Sequence, residues 1–258
     1  MNLEIDQHLF VVGGATSGFG KAVAEALLQE KAHIVAVARK MAPLEELASR
    51  FPGRVMPVCA DITLPETVQK IQGAIGDRQL QGVLINAGGP PAMGALEAKL
   101  EDWDEAYRTV LRWKIDLTMA LMPRMIQGKY GRFVFVESAA VKQPIENLVL
   151  SNAMRLAVVG WIKTLSQEVA RKAITLNILA PGSHATPAIE RIINKKVEQT
   201  GKPPEEIRAQ HIQQIGVGFM GDPADLAALA VWLLSPQSRF VTGQTISVDG
   251  GVIKGTMG

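Results

Sequence analysis

The stretch Leu9-Phe10-Val11-Val12-Gly13-Gly14-Ala15-Thr16-Ser17-Gly18-Phe19-Gly20 decides the fold of this chain. An unbroken apolar run ends in a turn with glycines at 14, 18 and 20. Glycines at this spacing permit a tight turn, close approach of the backbone to a diphosphate, and close packing of a helix on the strand. Apolar residues then recur with a helical period at Phe19, Ala22, Val23, Ala26 and Leu27. The stretch therefore predicts a strand, a nucleotide-binding turn and a helix.

Further apolar runs follow, and most of them are unbroken, as is typical of strands covered on both faces. They lie at Ile34–Ala38, Val55–Cys59, Val83–Ile85, Phe133–Val136, Leu176–Leu179 and Thr245–Val248. Helical patterns alternate with them, including long ones at about 101–127 and 151–171. This order predicts an α/β fold with a doubly wound, seven-stranded parallel sheet of the Rossmann type, helices on both faces, and a ligand crevice at the carboxyl ends of the strands.

The alternation continues through residues 1–258, so we expect a single Rossmann domain. The segment at about 185–221 alone departs from it, with Pro187, Gly201, Pro203 and Pro204 among polar helical stretches. We expect this segment to form a substrate lid over the crevice.

Composition excludes several classes of protein. The net charge is +2 and the basic residues are scattered, so neither nucleic acid nor an anionic membrane is an expected partner. Cys59 is the only cysteine and the histidines show no metal-ligand spacing, so we expect no disulfide and no metal. No uncharged run reaches the roughly 18 residues of a membrane span. These features favour a cytoplasmic protein.

From the glycine turn onwards the chain resembles the short-chain dehydrogenase/reductase family, whose Thr-Gly-x-x-x-Gly-x-Gly motif it matches with Gly13 in place of threonine. Further matches are Asp61-Ile62, Asn86-Ala87-Gly88, Pro181-Gly182 with Thr186, and Val248-Asp249-Gly250-Gly251. The resemblance implies cofactor contacts from Gly14, Thr16, Ser17, Gly18, Phe19, Gly20, Asp61, Ile62, Asn86, Ala87, Gly88, Pro181, Gly182 and Thr186. Asp61 and Asn86 have an alternative role as hydrogen-bonding residues of turns and strand ends.

The end of the second predicted strand indicates which dinucleotide binds. An acid there would accept hydrogen bonds from the ribose of NAD, but Ala38 takes that place, followed by Arg39 and Lys40. A basic pair matches a 2′-phosphate, which predicts NADP(H) as the cofactor. The alternative is a solvated basic pair.

The family's usual catalytic Asn, Ser, Tyr and Lys are only partly matched. Ser138 fits the serine, whereas Ser151 and Arg155 stand in the places of Tyr and Lys, and Val110 in that of Asn. Arg155 is expected to bind ribose hydroxyls or an anionic substrate, with a salt bridge on the face of its helix as the alternative. Ser138 is either a substrate hydrogen-bonder or a strand-end cap.

His184 is a further candidate for catalysis, because an imidazole at this place can donate a proton near neutral pH. A lid histidine exposed to water is the alternative. Tyr107 and Lys114 lie on a predicted helix, where packing and surface roles are favoured over chemistry.

The leading hypothesis is an NADP(H)-dependent oxidoreductase with a non-standard active site, which reduces a carbonyl or a conjugated C=C bond of a small, fairly apolar substrate. A non-catalytic NADP(H)-binding sensor or partner protein is one alternative, and an isomerase or lyase is another. A homodimer or homotetramer is also predicted. Family members pair their fourth and fifth helices, and the corresponding helices of this chain are apolar. Their apolar residues are Trp113, Leu117, Met122, Met154, Leu156, Val159 and Trp161.

Overall fold

The computed structural model describes residues 2–256, and within them seven parallel strands form one sheet. The strands are β1 (Leu9–Gly13), β2 (His33–Ala38), β3 (Val55–Cys59), β4 (Gly82–Ile85), β5 (Gly131–Val136), β6 (Ile174–Pro181) and β7 (Thr245–Val248). Their order is β3-β2-β1-β4-β5-β6-β7. The predicted seven-stranded, doubly wound Rossmann fold is therefore confirmed, and each predicted apolar run lies within one of these strands.

The helices flank the sheet. They are α1 (Gly18–Gln29), α2 (Met41–Arg50), α3 (Glu66–Ile75), α4 (Leu100–Ala106), α5 (Trp113–Gln127), α6 (Val149–Val169), α7 (Pro187–Thr200), α8 (Pro204–Gln213) and α9 (Pro223–Leu234). A π-helical segment, Tyr107–Arg112, joins α4 to α5. The helical pattern predicted at about 101–127 is thus continuous, but it contains one wider turn, in which Val110 is buried.

The apolar core lies on both faces of the sheet because neighbouring strand residues point to opposite sides. Phe10 belongs to the core cluster that includes side chains of α1 and α9, while Val11, the next residue, belongs to the cluster that includes side chains of α3, α5 and α6. Both side chains are fully buried. This two-sided burial explains why the strand sequences are unbroken apolar runs rather than alternating ones.

The prediction that α5 and α6 present a large apolar surface is partly wrong. Trp113, Leu117 and Met122 are only 3%, 1% and 4% exposed, because they pack against the sheet as part of the core. Met119 and Leu156, at 51% and 47% exposure, are the large apolar side chains that these helices present to solvent. The surface available for association is smaller than the sequence suggested, and the homodimer or homotetramer stays a prediction.

The segment 185–221 contains α7 and α8, which pack on each other through Ile189, Ile193 and Ile207. Its two ends meet in a short backbone clasp: the Ala185 amide donates to the Gly221 carbonyl at 2.8 Å, and the Gly221 amide donates to Ser183 at 3.2 Å. The segment therefore begins and ends at one point beside β6.

No helix in the part of the chain that the structure describes is both long and apolar enough to cross a membrane.

Candidate active site

The glycine turn between β1 and α1 is shaped for a ligand. Gly14 and Gly18 have positive φ values of 65° and 51°, in the left-handed region that favours glycine. A Cβ on Gly20 would lie 2.3 Å from the Gly14 carbonyl oxygen, so a side chain there has no room. Ser17 caps α1 without a side-chain hydrogen bond, which leaves first-turn amides available. The turn therefore fits an anion such as a diphosphate.

A second helix begins beside this turn. Thr186 is the N-cap residue of α7 and makes no side-chain capping bond. Its methyl carbon is 3.6 Å from the Cβ position of Gly18. Two helix N-termini, each carrying partial positive charge, thus meet where the sequence predicts the diphosphate.

Asp61 and Asn86 make the hydrogen bonds that were their alternative role. Asn86 Nδ2 donates to the Gly13 carbonyl at 3.0 Å, which ties β4 to the glycine turn. Asp61 Oδ1 accepts from the Thr63 amide at 3.0 Å and from the Thr63 hydroxyl at 2.8 Å. Both side chains are held at the carboxyl ends of β3 and β4, and their contacts with the cofactor stay predictions.

The remaining predicted cofactor residues lie along the same edge of the sheet. Thr16 and Ser17 are in the glycine turn, Ile62 follows β3, Ala87 and Gly88 follow β4, and Pro181 and Gly182 stand at the end of β6. Arg39 and Lys40 follow β2 and are exposed, and neither forms an ion pair with another described residue. The basic pair is therefore accessible to a phosphate.

A buried charge cluster of Lys114, Glu137, Arg155 and Ser151 occupies the carboxyl end of β5. Glu137 follows β5 directly and its side chain is 0% exposed. Lys114 Nζ pairs with its Oε1, and Arg155 Nη1 pairs with its Oε2 at 2.8 Å. Arg155 Nε donates to the Ser151 hydroxyl at 3.1 Å. One carboxylate thus joins two cations from α5 and α6.

The cluster corrects two expectations. Arg155 does form a salt bridge, its alternative role, but the partner is Glu137 after β5 and the pair is buried, with the Arg155 side chain 9% exposed. Lys114 is not a surface residue, because it is only 3% exposed. It follows a π-helical segment, whose wider turn rotates the residues after it relative to their positions on a regular α-helix. Sequence reasoning missed Glu137 altogether. Its signal was present, namely an acid directly after an unbroken apolar strand.

Burial lowers the pKa of the Lys114 ammonium from 10.5 to about 8. Glu137 raises this pKa and Arg155 lowers it, but desolvation is the largest influence. Lys114 therefore changes its protonation close to neutral pH.

This pKa predicts how stability depends on pH. Between about pH 8 and pH 10 the unfolded chain keeps the Lys114 proton that the folded chain loses, so the free energy of unfolding should rise with pH, by on the order of 2 kcal/mol. Burial raises the pKa of Tyr130 from 10.0 to about 12. Tyr130 therefore lowers the free energy of unfolding as the pH rises, but mainly above pH 10, outside the range of this test. Urea unfolding across this range should show the rise in the native protein and its absence in Lys114→Met. The exposed Lys70→Met is the control, and a rise that survives in Lys114→Met would contradict the assignment.

Ser138 has the capping role that was one of its alternatives. Its hydroxyl oxygen accepts from the Ala140 amide at 3.1 Å and caps the short 3-10 turn Ala139–Val141. The hydroxyl proton is not used by that bond, so donation to a substrate stays a prediction.

His184 is not exposed to water, as its alternative reading supposed. It is 4% exposed because the Phe19 ring lies edge-on at 5.0 Å and Gly221 closes the other side, with its Cβ position 2.6 Å from the imidazole. Nδ1 lies 3.2 Å from the Gly182 carbonyl. The role of His184 as a proton donor stays a prediction. Tyr107, in the π-helical segment, is 44% exposed.

A family model described as enoyl-(acyl carrier protein) reductase matches residues 14–253. The 3-oxoacyl-[acyl-carrier-protein] reductase of Thermotoga maritima is 29% identical over 258 residues, which cover 97% of this chain and 100% of that protein.

Solved structures are similar over the same length. The L-sorbose reductase of Gluconobacter frateurii, complexed with NADPH and L-sorbose, has a TM-score of 0.92 and 27% identity, over 99% of this chain and 100% of that one. YwfH, an NADPH-dependent reductase involved in bacilysin biosynthesis, has a TM-score of 0.89 and 26% identity, over 97% of this chain and 100% of that one.

A sheet of this order, with a glycine turn after its first strand, defines the class of Rossmann-type dinucleotide enzymes. Within that class the chain belongs to the short-chain dehydrogenase/reductase family, because the family model covers residues 14–253. The protein is accordingly an oxidoreductase.

Proposed function

We propose that the protein is an NADP(H)-dependent reductase with a non-standard active site, acting on a carbonyl or a conjugated C=C bond of a small, fairly apolar substrate. The buried charge cluster at the crevice carries this proposal, because it supplies a fixed guanidinium and a hydroxyl where Ser151 and Arg155 replace the family's usual Tyr and Lys. NADP(H) is the cofactor: the two similar reductases are NADPH-dependent or bind NADPH, and Arg39 and Lys40 suit its 2′-phosphate.

The residues of the crevice fit this dinucleotide. The glycine turn and the N-terminus of α7 would hold the diphosphate, Asp61 and Ile62 the adenine, and Pro181 and Gly182 the nicotinamide end. Asn86, Ala87 and Gly88 would line the path between the two ends. The bound nicotinamide supplies the hydride.

Arg155 and Ser151 would act on the oxygen of the substrate. The guanidinium does not release a proton near neutral pH, so Arg155 stabilises negative charge on that oxygen electrostatically. A lone pair of the Ser151 hydroxyl already accepts from Arg155 Nε, which leaves the hydroxyl proton to donate. Reduction of a conjugated C=C bond suits this arrangement, because an enolate oxygen needs stabilisation before it needs a proton. Ser138 and His184 complete the proposed catalytic set.

Exposed apolar side chains on the loops after β4 and β5 favour a substrate with an apolar body. The two loops are joined where the Met93 amide donates to the Asn147 carbonyl at 2.7 Å. Beside this junction Leu96 and Ile145 are exposed, at 103% and 43%. Apolar side chains at the mouth of a polar crevice favour a substrate with an apolar body.

Single-turnover absorbance of bound NADPH, with a panel of ketones and enones, tests the proposal. Oxidation of NADPH by at least one panel member is the expected result. If NADPH binds and no member oxidises it, the non-catalytic binding protein becomes the better hypothesis.

Arg39→Asp should weaken NADPH binding by more than about tenfold, or 1.4 kcal/mol, because a carboxylate would then face the 2′-phosphate. Titration calorimetry measures this, and NADH, which lacks that phosphate, is the internal control and should change little. Equal affinities of the native protein for NADPH and NADH would count against the assignment.

We also propose that the protein is a homodimer or homotetramer, with Met119 on α5 and Leu156 on α6 at the interface. Sedimentation at micromolar concentration should give a multiple of the chain mass of 27.8 kDa. Leu156→Asp should lower that mass, because an ionised group at an apolar contact opposes association. A monomeric mass for the native protein would contradict the proposal.

A further inference from the structure

The buried charge cluster is not electrically balanced. Lys114 and Arg155 each pair with Glu137, and neither has a second carboxylate partner among residues 2–256. The cluster therefore carries one excess positive charge while all three charged side chains are at least nine-tenths buried. A buried, unbalanced charge is costly, so it either acquires a counter-ion or loses its proton.

Arg155 has hydrogen-bonding capacity left over. Its Nε donates to Ser151 and its Nη1 donates to Glu137. Within residues 2–256 the Nη2 group makes no hydrogen bond, although a guanidinium carries five N–H donors. This part of the side chain is the free end of the cluster.

The free end lies against the loop after β4. Nη2 lies 2.9 Å from the position that a Cβ would take on Gly89, in the exposed loop after β4. Since Gly89 has no side chain, the guanidinium reaches the loop. The predicted diphosphate has its own place where α1 and α7 begin, so the anion that balances Arg155 is a different one.

We propose that Arg155 binds a carboxylate of the substrate, and that Lys114, acting through Glu137, is a positioning residue that keeps this site positively charged. This inference rests on the proposed function and narrows its substrate class to carbonyl or enoyl compounds that carry a carboxylate on an apolar body. In such a substrate the carboxylate occupies Arg155, and the Ser151 hydroxyl is the group left to donate to the reacting oxygen. Charge-assisted hydrogen bonds to a carboxylate are about twice as strong as neutral ones, so the acid should be strongly preferred over a neutral ester.

The ionisation of Lys114 gives a second signature. The groups that face its ammonium are Glu137 at the end of β5 and Arg155 on α6, with the Trp113 ring at 5.8 Å. Arg155 is the one that disfavours the protonated form. A carboxylate bound to Arg155 offsets this repulsion, so binding of the acid near pH 8 should draw a proton onto Lys114.

The experiment compares benzoylformate with methyl benzoylformate, and cinnamate with methyl cinnamate, on the NADPH complex of the full chain. Calorimetry at about pH 8, in buffers of different ionisation enthalpy, measures affinity and proton uptake together. In at least one pair we expect the acid to bind about tenfold or more tightly than the ester, with proton uptake for the acid alone. Arg155→Gln should abolish the preference, and Lys114→Met should abolish the proton uptake and weaken the preference.

Gly89→Ala is an independent variant that keeps every charge, since its added Cβ would displace Nη2. Gly73→Ala on α3, where an added Cβ meets nothing within 4 Å, is the matched control. Gly89→Ala should lose most of the preference for the acid and Gly73→Ala should keep it. Thermal melting checks that each variant is folded.

Equal binding of acid and ester, no binding of either acid at millimolar concentration, or a preference that survives Arg155→Gln would each overturn the proposal. The readout is binding, so it is separate from the reductase itself. Selective acid binding without NADPH oxidation would leave the carboxylate site standing and reject the reductase. NADPH oxidation with equal binding of acid and ester would support the reductase and reject the carboxylate site.

Discussion

Glu137→Ala should lower the free energy of unfolding by about 3–5 kcal/mol, because removal of one partner from a buried ion pair leaves an uncompensated charge. Here the loss leaves two cations, Lys114 and Arg155, facing each other with no carboxylate between them. Urea unfolding at neutral pH, with matched thermal melts, gives the measurement.

The double variant Lys114→Met with Glu137→Gln is the matched control. It removes one charge of each sign and leaves Arg155 with a neutral hydrogen-bond acceptor, so we expect it to be clearly more stable than Glu137→Ala. A cost below about 1 kcal/mol for Glu137→Ala, as for an exposed ion pair, would show that the cluster is open to water.

Gly20→Ala should weaken NADPH binding by roughly a hundredfold, or about 2.7 kcal/mol. The added Cβ would lie 2.3 Å from the Gly14 carbonyl oxygen and 2.5 Å from that of Gly13, and both are backbone atoms. Such a contact cannot be relieved by a side-chain rotation, so the turn must open and the first amides of α1 must move away from the diphosphate. Titration calorimetry with NADPH measures the loss.

Gly73→Ala again serves as the control, because it adds the same methyl group to a helix without a clash. It should bind NADPH normally and gain up to about 1 kcal/mol of stability from helix propensity. A folded Gly20→Ala protein with native affinity for NADPH would mean that the diphosphate does not lie on this turn.

The fold could be predicted well from the sequence because the features that determine it lie within short stretches of the chain. A strand buried on both faces is apolar at nearly every position, and the glycine turn follows directly after β1. The positions of Gly14, Gly18 and Gly20 were readable for the same reason, since their constraints come from neighbouring backbone.

The buried charge cluster was not readable in this way. Lys114, Glu137 and Arg155 come from three different elements, and the ion pairs join residues that are 23 and 18 positions apart. The burial of His184 likewise depends on Phe19 and Gly221, which are remote in sequence. The π-helical segment was missed because a helical pattern reports that apolar residues recur, not that one turn is wider.

The backbone clasp between Ala185 and Gly221 bears on how this chain could diverge. Both ends of the intervening stretch are anchored at one place beside β6, and α7 and α8 bury their own apolar side chains against each other. Because closing a longer loop between fixed ends costs little additional entropy, lengthening or replacing the stretch leaves the sheet undisturbed. We therefore expect the stretch beyond the first turn of α7 to tolerate changes of length and sequence, so that substrate preference could be altered there while the glycine turn and the start of α7 keep the diphosphate site.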